Sequence, residues 1–275
     1  MTVETTPEHA AADTLQERYA IVKQRIADAA RSAGRDPREI ILVAVTKHAE
    51  PEDILELVHM GHQDFGENRV QQLAQRAGMV NEYLDRRRTT PSAARAHDQA
   101  MDALDAQPPE RIRWHMIGHL QRNKARRAVE HARLIHSVDS FRLAEELQAI
   151  GLKREQIIEV LLQVNCSGEA SKNGVPLPAA PAVADQIEQM AYLRLRGVMT
   201  MAPLEADEAK THFVFERARA LFEELRNDGM GDGQCNILSM GMTSDFAQAI
   251  EHGANIVRIG TAIFGAPAGD ETANN

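Results

Sequence analysis

Cysteine is scarce in this sequence, with two cysteines among 275 residues. That number is too small for a disulfide scaffold or for a cysteine-based metal site. Cys166 and Cys235 both stand in apolar runs that are typical of strands. We therefore expect buried, reduced thiols.

Long apolar runs are also missing. None approaches the roughly 18 consecutive residues that are needed to cross a bilayer. The first residues, MTVETTPEHAAADTLQER, are acidic and polar, whereas a secretory signal has a basic start followed by an apolar stretch. The sequence thus predicts a cytoplasmic protein that does not interact with a membrane.

Positive charge is in deficit, because 31 Lys and Arg residues face 40 Asp and Glu residues and leave a net charge of −9. A field of this sign repels nucleic acid, so we predict no nucleic-acid partner. The segment Arg111–Arg133 departs from this balance, since its acidic residue Glu130 stands among seven basic ones. It is either the solvated face of a surface helix or a docking site for a phosphate-rich partner. A weaker hypothesis uses the part near Arg122 to Arg133 to dock a phosphate-bearing partner or an apo-enzyme. Aromatic residues hardly interleave with these charges, so base stacking is poorly provided for.

What the sequence has instead is a regular alternation of strand-like and helix-like segments. A helix is predicted over residues 14–33, where apolar residues recur at spacings of three and four and Gly34 can end the helix. Strands alternating with helices imply parallel pairing, and eight such units predict an α/β fold, a modified TIM (β/α)8 barrel with an extra N-terminal helix. No Gly-x-Gly-x-x-Gly follows the first strand, which argues against a dinucleotide fold. The predicted strands are 40–47, 64–67, 111–118, 134–139, 157–165, 193–201, 236–242 and 255–260.

Two segments do not fit this alternation. Residues 85–110 are charged, rich in alanine and poor in apolar periodicity, which predicts a surface insertion. The tail from Ala268 onward has nothing to bury and is predicted to be flexible. We expect the whole chain, 1–275, to form a single barrel domain.

Lys47 ends the most apolar strand of the sequence. The active surface of such a barrel is the rim at the carboxyl ends of its strands. A lysine there either points into the barrel mouth, where desolvation frees its amine to act as a nucleophile, or extends its ammonium out to solvent. This feature alone leaves both interpretations open.

The last two predicted strands end in the segments NILSMGMTSDF and IVRIGTAIFG. The loops after strands 7 and 8 are those that most often build a phosphate site in this architecture. Ser239 and Thr261 offer hydroxyl groups, while Gly241 and Gly260 let backbone N–H groups approach an anion or simply make tight turns.

Arg258 lies among apolar residues on the last strand and requires a partner. That partner is either a carboxylate or a cofactor, to which the guanidinium presents N–H groups at a ring nitrogen or a phosphate. An arginine cannot give up a proton, so it would keep a pyridine nitrogen neutral and weaken the cofactor as an electron sink. An amine, an anion site and such an arginine are together what pyridoxal 5′-phosphate requires.

With these features the sequence resembles the pyridoxal phosphate homeostasis proteins of the YggS or PROSC type. The resemblance extends over nearly all of residues 14–265. The matching segments are VAVTK, DFGENRVQ, RWHMIGHLQRNK, HSVDS, VLLQVNCSGEASKNG, LRGVMTM, LSMGMTSDF and VRIGTAIFG. Thr243 departs from the pattern, because the family usually has serine there, but it keeps the hydroxyl group.

The resemblance implies a barrel of the alanine-racemase type in which pyridoxal phosphate is bound as an imine to Lys47. Members are regarded as carriers or regulators of the cofactor that affect amino-acid and keto-acid balance without settled catalysis. It therefore implies a role in vitamin B6 homeostasis, a monomer, and pyridoxal-phosphate-dependent apo-enzymes as candidate partners. The residues that it assigns to the cofactor are Lys47, Asn68, Ser239, Arg258, Gly260 and Thr261.

The alternative is an amino-acid racemase on the same barrel. Racemisation needs a proton donor or acceptor on each face of the substrate, and Lys47 serves only one face. In the resembled racemases the opposite tyrosine comes with an additional β domain and a dimer partner. Here Tyr19, Tyr83 and Tyr192 fall on predicted helices or just before a strand, so we favour the non-catalytic interpretation.

Two further candidate sites carry little weight in the sequence. His115 and His119 stand four residues apart, but no carboxylate or cysteine is predictably close, so no metal site is predicted. Cys166 has no basic neighbour in the sequence that would lower its pKa, so no redox or nucleophilic role is predicted.

Overall fold

Residues 14–89, 108–169, 172–203 and 206–265 are described in a computed structural model of the protein. Its strands, in chain order, are β1 (Ile41–Val45), β2 (Asp64–Glu67), β3 (Arg113–Met116), β4 (Ala132–Val138), β5 (Ile158–Asn165), β6 (Val175–Pro176), β7 (Leu193–Met199), β8 (Ile237–Ser239) and β9 (Ile256–Ile259). Its helices are α1 (Leu15–Ser32), α2 (Pro51–His59), α3 (Val70–Thr89), α4 (Ala125–Val129), α5 (Phe141–Arg154), α6 (Ala180–Glu188), α7 (Glu208–Asn227), α8 (Phe246–Glu251) and α9 (Thr261–Phe264).

Eight of the strands form a closed parallel barrel. Their spatial order is β4-β3-β2-β1-β9-β8-β7-β5, and β4 pairs with β5 to close the ring. The two-residue strand β6, which the alternation did not predict, pairs with the end of β5. The predicted (β/α)8 barrel is thus confirmed, and all carboxyl ends of its strands meet at one rim.

The N-terminal helix α1 is fixed at both of its ends. At its start, Thr14 and Glu17 form a capping box in which each side chain accepts a hydrogen bond from the other residue's backbone. Further along, the Nε atom of Arg18 donates to the carbonyl of Ile263 at 2.8 Å. The helix packs against α8 and α9. It therefore covers the barrel beside the last strand, where the four-residue α9 is too short to do so.

Helix α3 is longer than its sequence pattern suggested. It continues past Leu84 to Thr89 and carries three arginines in its last turn, where positive charge favours the C-terminus of a helix. The first five residues of the predicted insertion 85–110 are therefore helical. Residues 90–107 of that insertion, and the predicted tail, lie outside the described residues.

The two thiols agree with the sequence pattern. Cys166 and Cys235 are buried and free, as predicted, and burial raises the pKa of Cys235 to about 11. Within the four described segments, no helix combines the length and the apolar character needed to span a bilayer.

Candidate functional site

A cavity of about 410 Å³ opens at the rim formed by the carboxyl ends of the strands. This volume lies within the usual range for small-molecule sites. Three methionines, Met199, Met201 and Met242, supply apolar wall. Five of the six residues assigned by resemblance also line it, namely Lys47, Asn68, Arg258, Gly260 and Thr261. The sixth, Ser239, lies elsewhere.

Lys47 follows the end of β1 on a turn and lines the cavity with its side chain accessible to solvent. The sequence left open whether this lysine points into the barrel mouth or out to water. The structure gives it both properties, because it lies at the edge of the cavity instead of within the strand. Burial by the protein alone therefore does not supply the desolvation that the first of these interpretations requires.

The turn that carries Lys47 is held from both sides by Arg76 of α3. Its guanidinium donates to the carbonyl groups of Thr46 and Ala49, which flank the turn. The same guanidinium pairs with the buried carboxylate of Glu67 at the end of β2. Because a charged donor bonds two carbonyls and a carboxylate, the amine of Lys47 projects from a fixed backbone.

Asn68 is placed by close contact between two neighbouring loops. A Cβ atom at Gly118 would lie 2.3 Å from the carbonyl oxygen of Asn68, so only glycine fits there. The carboxylate of Glu67 also accepts a hydrogen bond from the Asn68 backbone N–H at 3.2 Å. The loop after β3 thereby holds the loop after β2 against the cavity.

The opposite side of the cavity is lined by hydroxyl groups from two loops. Thr261, at the start of α9, donates to the Oγ1 atom of Thr243 at 3.1 Å, and Ser244 is next to it. The β8–α8 loop is closed by the carboxylate of Asp245, which accepts from the backbone N–H of Met242 at 2.6 Å. Three hydroxyls and the N–H groups at the first turn of a helix are donors suited to an anion.

Arg258 of β9 lines the cavity from the barrel interior and is 4% exposed. It donates to the Oγ atom of Ser239 at 2.6 Å and to the carbonyl of Thr200 at 2.9 Å. Burial lowers the pKa of its guanidinium to about 10, while the charge of Asp245 opposes that change. Arg258 therefore stays a cation at neutral pH and can only donate hydrogen bonds to a bound molecule.

Ser239 is fully buried beneath the cavity and does not line it. Its hydroxyl group is engaged by Arg258 and by the Nδ1 atom of His136, 3.0 Å away. Gly241 also lies away from the lining. Its φ is +95°, and a Cβ atom at this position would lie 2.6 Å from the Cβ of Ala249, so Gly241 serves a tight turn.

His115 on β3 and His119 in the loop that follows β3 have carboxylate partners that the sequence did not reveal. His115 lies 3.1 Å from Asp64, and His119 lies 2.9 Å from Asp139. Carboxylates thus lie close to both histidines, although no sequence pattern indicated them. No group of three or more His, Cys, Asp or Glu residues is arranged to hold a metal ion in the described part of the chain.

The basic segment Arg111–Arg133 divides between different parts of the barrel. Arg113 and Arg133 pair with Asp64 and Glu159 at the amino ends of the strands. Other cations of the segment, such as Arg126, are exposed on the short helix α4. The solvated helix face therefore accounts for part of this segment, and docking of a partner stays a prediction.

The chain matches the family of alanine racemase N-terminal domains over residues 18–268. It is 37% identical, over 92% of its length and 96% of the relative's, to a protein of Pseudomonas aeruginosa named pyridoxal phosphate homeostasis protein. The chain belongs to the pyridoxal phosphate homeostasis protein family. This identification confirms the resemblance that the sequence motifs indicated.

Solved structures agree with this assignment. PipY of Synechococcus elongatus, described as having PLP bound, is 33% identical with a TM-score of 0.68, covering 92% of this chain and all of its own. An alanine racemase of Clostridium difficile is 12% identical with a TM-score of 0.63, covering 94% of this chain and 58% of its own. The likeness to the racemase shows a shared fold alone.

Several residues of the site were not singled out from the sequence. Ser244 and the three methionines line the cavity, while Arg76 and Glu67 fix its loops. Ser244 could have been found from the sequence, since it directly follows Thr243 in the segment TSDF. Arg76 carried no signal, because one arginine on a predicted surface helix does not reveal which carbonyl groups it meets.

Proposed function

We propose that this protein binds pyridoxal 5′-phosphate in the cavity at the carboxyl rim and serves intracellular vitamin B6 homeostasis. The observation that carries the proposal is the meeting of Lys47, Arg258 and the hydroxyls of Thr243 and Thr261 around one cavity. An amine for an aldehyde, donors for a phosphate and a guanidinium for a ring nitrogen fit this cofactor. The PipY structure with PLP bound supports it.

Each residue has a separate task in this proposal. Lys47 holds the cofactor covalently through its Nζ atom, and Asn68 lies beside it at the mouth. Gly260 and Thr261, with Thr243, hold the phosphate through N–H and O–H donors. Arg258 lies beside the ring. When bound, the cofactor supplies a reactive aldehyde carbon and an electron-withdrawing ring.

Arg258 suits retention of the cofactor better than its use in a reaction. A guanidinium donates hydrogen bonds but does not hand over its proton, so a ring nitrogen facing it stays unprotonated. An unprotonated ring is a weak electron sink. The charge state of Arg258 therefore limits what a bound amino acid could undergo.

The positions of the tyrosines also favour a non-catalytic protein. All three tyrosines of the chain are described, and none of them lines the cavity. Tyr19 bonds His62, Tyr83 lies on α3, and Tyr192 precedes β7. None is placed to provide the second proton donor or acceptor that racemisation requires.

The proposal extends to the cellular setting. We infer a cytoplasmic monomer that passes the cofactor to apo-enzymes, without nucleic-acid or membrane partners. The free, buried cysteines support a reducing compartment. The net charge of −9 disfavours nucleic acid.

The test is to mix the purified protein with pyridoxal phosphate, reduce the mixture with borohydride and locate the modified peptide by mass spectrometry. We expect the label on Lys47, and we expect Lys47→Arg to lose it while the side-chain charge is kept. Lys153→Arg, on the exposed end of α5, is the matched control and should label as the wild type does. A label on another lysine, or none, would overturn the proposal.

Catalysis is tested separately with the loaded protein. Incubation with L-alanine and other L-amino acids in deuterated water should give neither D-isomer nor deuterium at the α-carbon. Sustained formation of either would restore the racemase alternative. Transfer to an apo-enzyme faster than the cofactor's spontaneous release would support a carrier role.

A further inference from the structure

A line of buried polar side chains runs inside the barrel, beneath the cavity. Five strands contribute one residue each: Asp64 of β2, His115 of β3, His136 of β4, Ser239 of β8 and Arg258 of β9. Each of them is at most 7% exposed. Asp64 is the outer end of the line, and Arg113 donates two hydrogen bonds of 2.6 and 2.7 Å to its carboxylate.

Successive groups in this line are within hydrogen-bond distance of each other. Asp64 Oδ1 lies 3.1 Å from His115 Nε2, and His115 Nδ1 lies 2.9 Å from His136 Nε2. His136 Nδ1 then lies 3.0 Å from Ser239 Oγ, to which Arg258 donates at 2.6 Å. The line thus connects the amino end of β2 to the arginine at the cavity without a break.

With both imidazole rings neutral, the two ends of the line allow only one direction of donation. A guanidinium has donors and no acceptor, whereas an ionised carboxylate has acceptors and no donor. Burial alone would raise the pKa of Asp64, but hydrogen bonds from Arg113 and His115 lower it well below the ordinary value. Asp64 is therefore ionised, and Arg258 is charged.

The groups in between follow from these ends. Because the oxygen of Ser239 accepts from Arg258, its O–H is available to donate to the Nδ1 atom of His136. His136 then carries its proton on Nε2 and donates to Nδ1 of His115. His115 in turn donates from Nε2 to Asp64. Burial lowers the pKa of His136, which agrees with the neutral ring that this arrangement requires.

We propose that Asp64, His115, His136 and Ser239 are positioning residues that hold Arg258 in one orientation towards the ring of the bound cofactor. This inference rests on the proposed function and assigns Ser239 a role beneath the cofactor instead of at its phosphate. An arginine side chain has many rotamers, and fixing it before binding removes an entropic cost from the binding step. These four residues act through Arg258 and do not contact the bound molecule themselves.

The first test compares pyridoxal phosphate with pyridoxal, which lacks the phosphate. Ser239→Ala should weaken binding of both compounds by the same factor, about ten-fold, because a hydrogen bond to a charged group is lost. Ser239→Thr keeps the hydroxyl and should restore most of the affinity. Thr261→Ala is the matched comparison, and it should weaken pyridoxal phosphate far more than pyridoxal.

A second readout of the same variants is the visible absorption spectrum of the bound cofactor. Loss of a fixed guanidinium beside the ring should shift the absorption maximum in Ser239→Ala but not in Thr261→Ala. If Ser239→Ala weakened pyridoxal phosphate alone and left the spectrum unchanged, Ser239 would be a phosphate ligand, and the positioning role would be overturned.

The third test needs no cofactor. Nitrogen-15 NMR of the wild-type histidine side chains, assigned with His115→Gln and His136→Gln, reports which ring nitrogen carries the proton. We expect both rings to be protonated on Nε2 and bare on Nδ1. A proton on Nδ1 of His136 would reverse the direction of hydrogen-bond donation between His136 and Ser239 and overturn the inference. Failure of the wild type to bind either compound, with the expected tautomers present, would instead count against the proposed function.

Discussion

The two ends of the barrel are built from the same eight strands but carry different chemistry. At the carboxyl rim, Lys47 is exposed beside threonine hydroxyls and a methionine wall. At the amino end, charged side chains are paired, as in Arg113 with Asp64 and Arg133 with Glu159. The difference matches the usual division of such barrels, in which the loops at the carboxyl rim carry function and the opposite face carries stability.

Cavity size alone would point to the other end of the barrel. The amino end has a cavity of about 730 Å³, larger than the 410 Å³ at the rim. Its described lining contains arginines, glutamates and apolar residues, such as Arg111, Glu130 and Ile157, but no lysine, serine or threonine. Arg113 and Arg133 of this lining are paired with carboxylates, and the lining offers no amine to attack an aldehyde. The donor chemistry, not the volume, distinguishes the two ends.

The largest expected effect comes from Glu67→Gln at the rim. It leaves the guanidinium of Arg76 without its buried counter-charge, and breaking a buried pair costs about 3 to 5 kcal/mol. Urea denaturation should show this loss in the free energy of unfolding. Retention of the cofactor should fall as well, because Arg76 holds the Lys47 turn.

The control for this change is Glu82→Gln on the solvent side of α3. Glu82 pairs with Arg86, and both side chains are more than half exposed. Such a pair contributes at most about 1 kcal/mol. Equal losses in the two variants would mean that the rim is not held by the buried pair.

The second prediction concerns pH and the amino end. Burial lowers the pKa of His62 to about 4, from an ordinary value of 6.5. The unfolded chain therefore takes up a proton at this histidine below pH 6.5, while the folded chain does so only near pH 4. Because of this histidine, the free energy of unfolding should fall by about 3 kcal/mol as the pH falls from 6.5 to 4.

The measurement is urea denaturation of the wild type and His62→Gln across this pH range. Stability contributed by the neutral ring is complete above pH 6.5 and is lost as the pH falls, so the wild-type curve should be the steeper one. Parallel curves for the two proteins would contradict the assignment.

The third prediction tests the hydroxyls at the rim. Thr243→Val keeps the shape of the side chain but removes the group that accepts from Thr261. We expect pyridoxal phosphate to bind about ten-fold more weakly, as for the loss of one hydrogen bond to a charged group. Thr243→Ser should bind as the wild type does. Equal affinities of the valine and serine variants in equilibrium titrations would show that this hydroxyl does not contact the phosphate.

The smallest effect on cofactor binding is expected from Glu159→Gln at the amino end. Glu159 accepts from Arg133 and from Arg196, and the side chain of Arg133 is about half exposed. The pair with Arg196 is largely buried, so the loss of the Glu159 charge should lower the free energy of unfolding by about 1 to 3 kcal/mol. Affinity for pyridoxal phosphate should stay unchanged, and a clear loss of affinity would break the division between the two ends.

Much of the fold could be read from periodicity. The predicted strand 64–67 coincides with β2, and the predicted helix 14–33 differs from α1 by one residue at each end. Apolar alternation and capping residues are local signals, so they can be recognised without knowledge of the tertiary contacts. The strand β6 and the last turns of α3 were missed, because two residues carry no pattern and charged residues late in a helix resemble a loop.

The candidate site was predictable as a set of residues but not as an arrangement. The position of Lys47 at a strand end and of Thr261 after the last strand placed both at the rim. Ser239 has the same kind of position, yet its hydroxyl is bonded beneath the cavity. Its neighbours come from β4 and β9, and no local pattern relates those strands to β8.

The sequence by itself determined the barrel fold, the position of Lys47 at the end of a strand and the family, because periodicity and short motifs depend on neighbours along the chain. Only the tertiary structure decided how Arg258 is oriented, which carboxylates His115 and Arg76 contact, and which end of the barrel has an exposed lysine and hydroxyl groups around a cavity. These features depend on register between strands far apart in the chain. Closing the ring through β4 and β5 fixes that register for all eight strands at once.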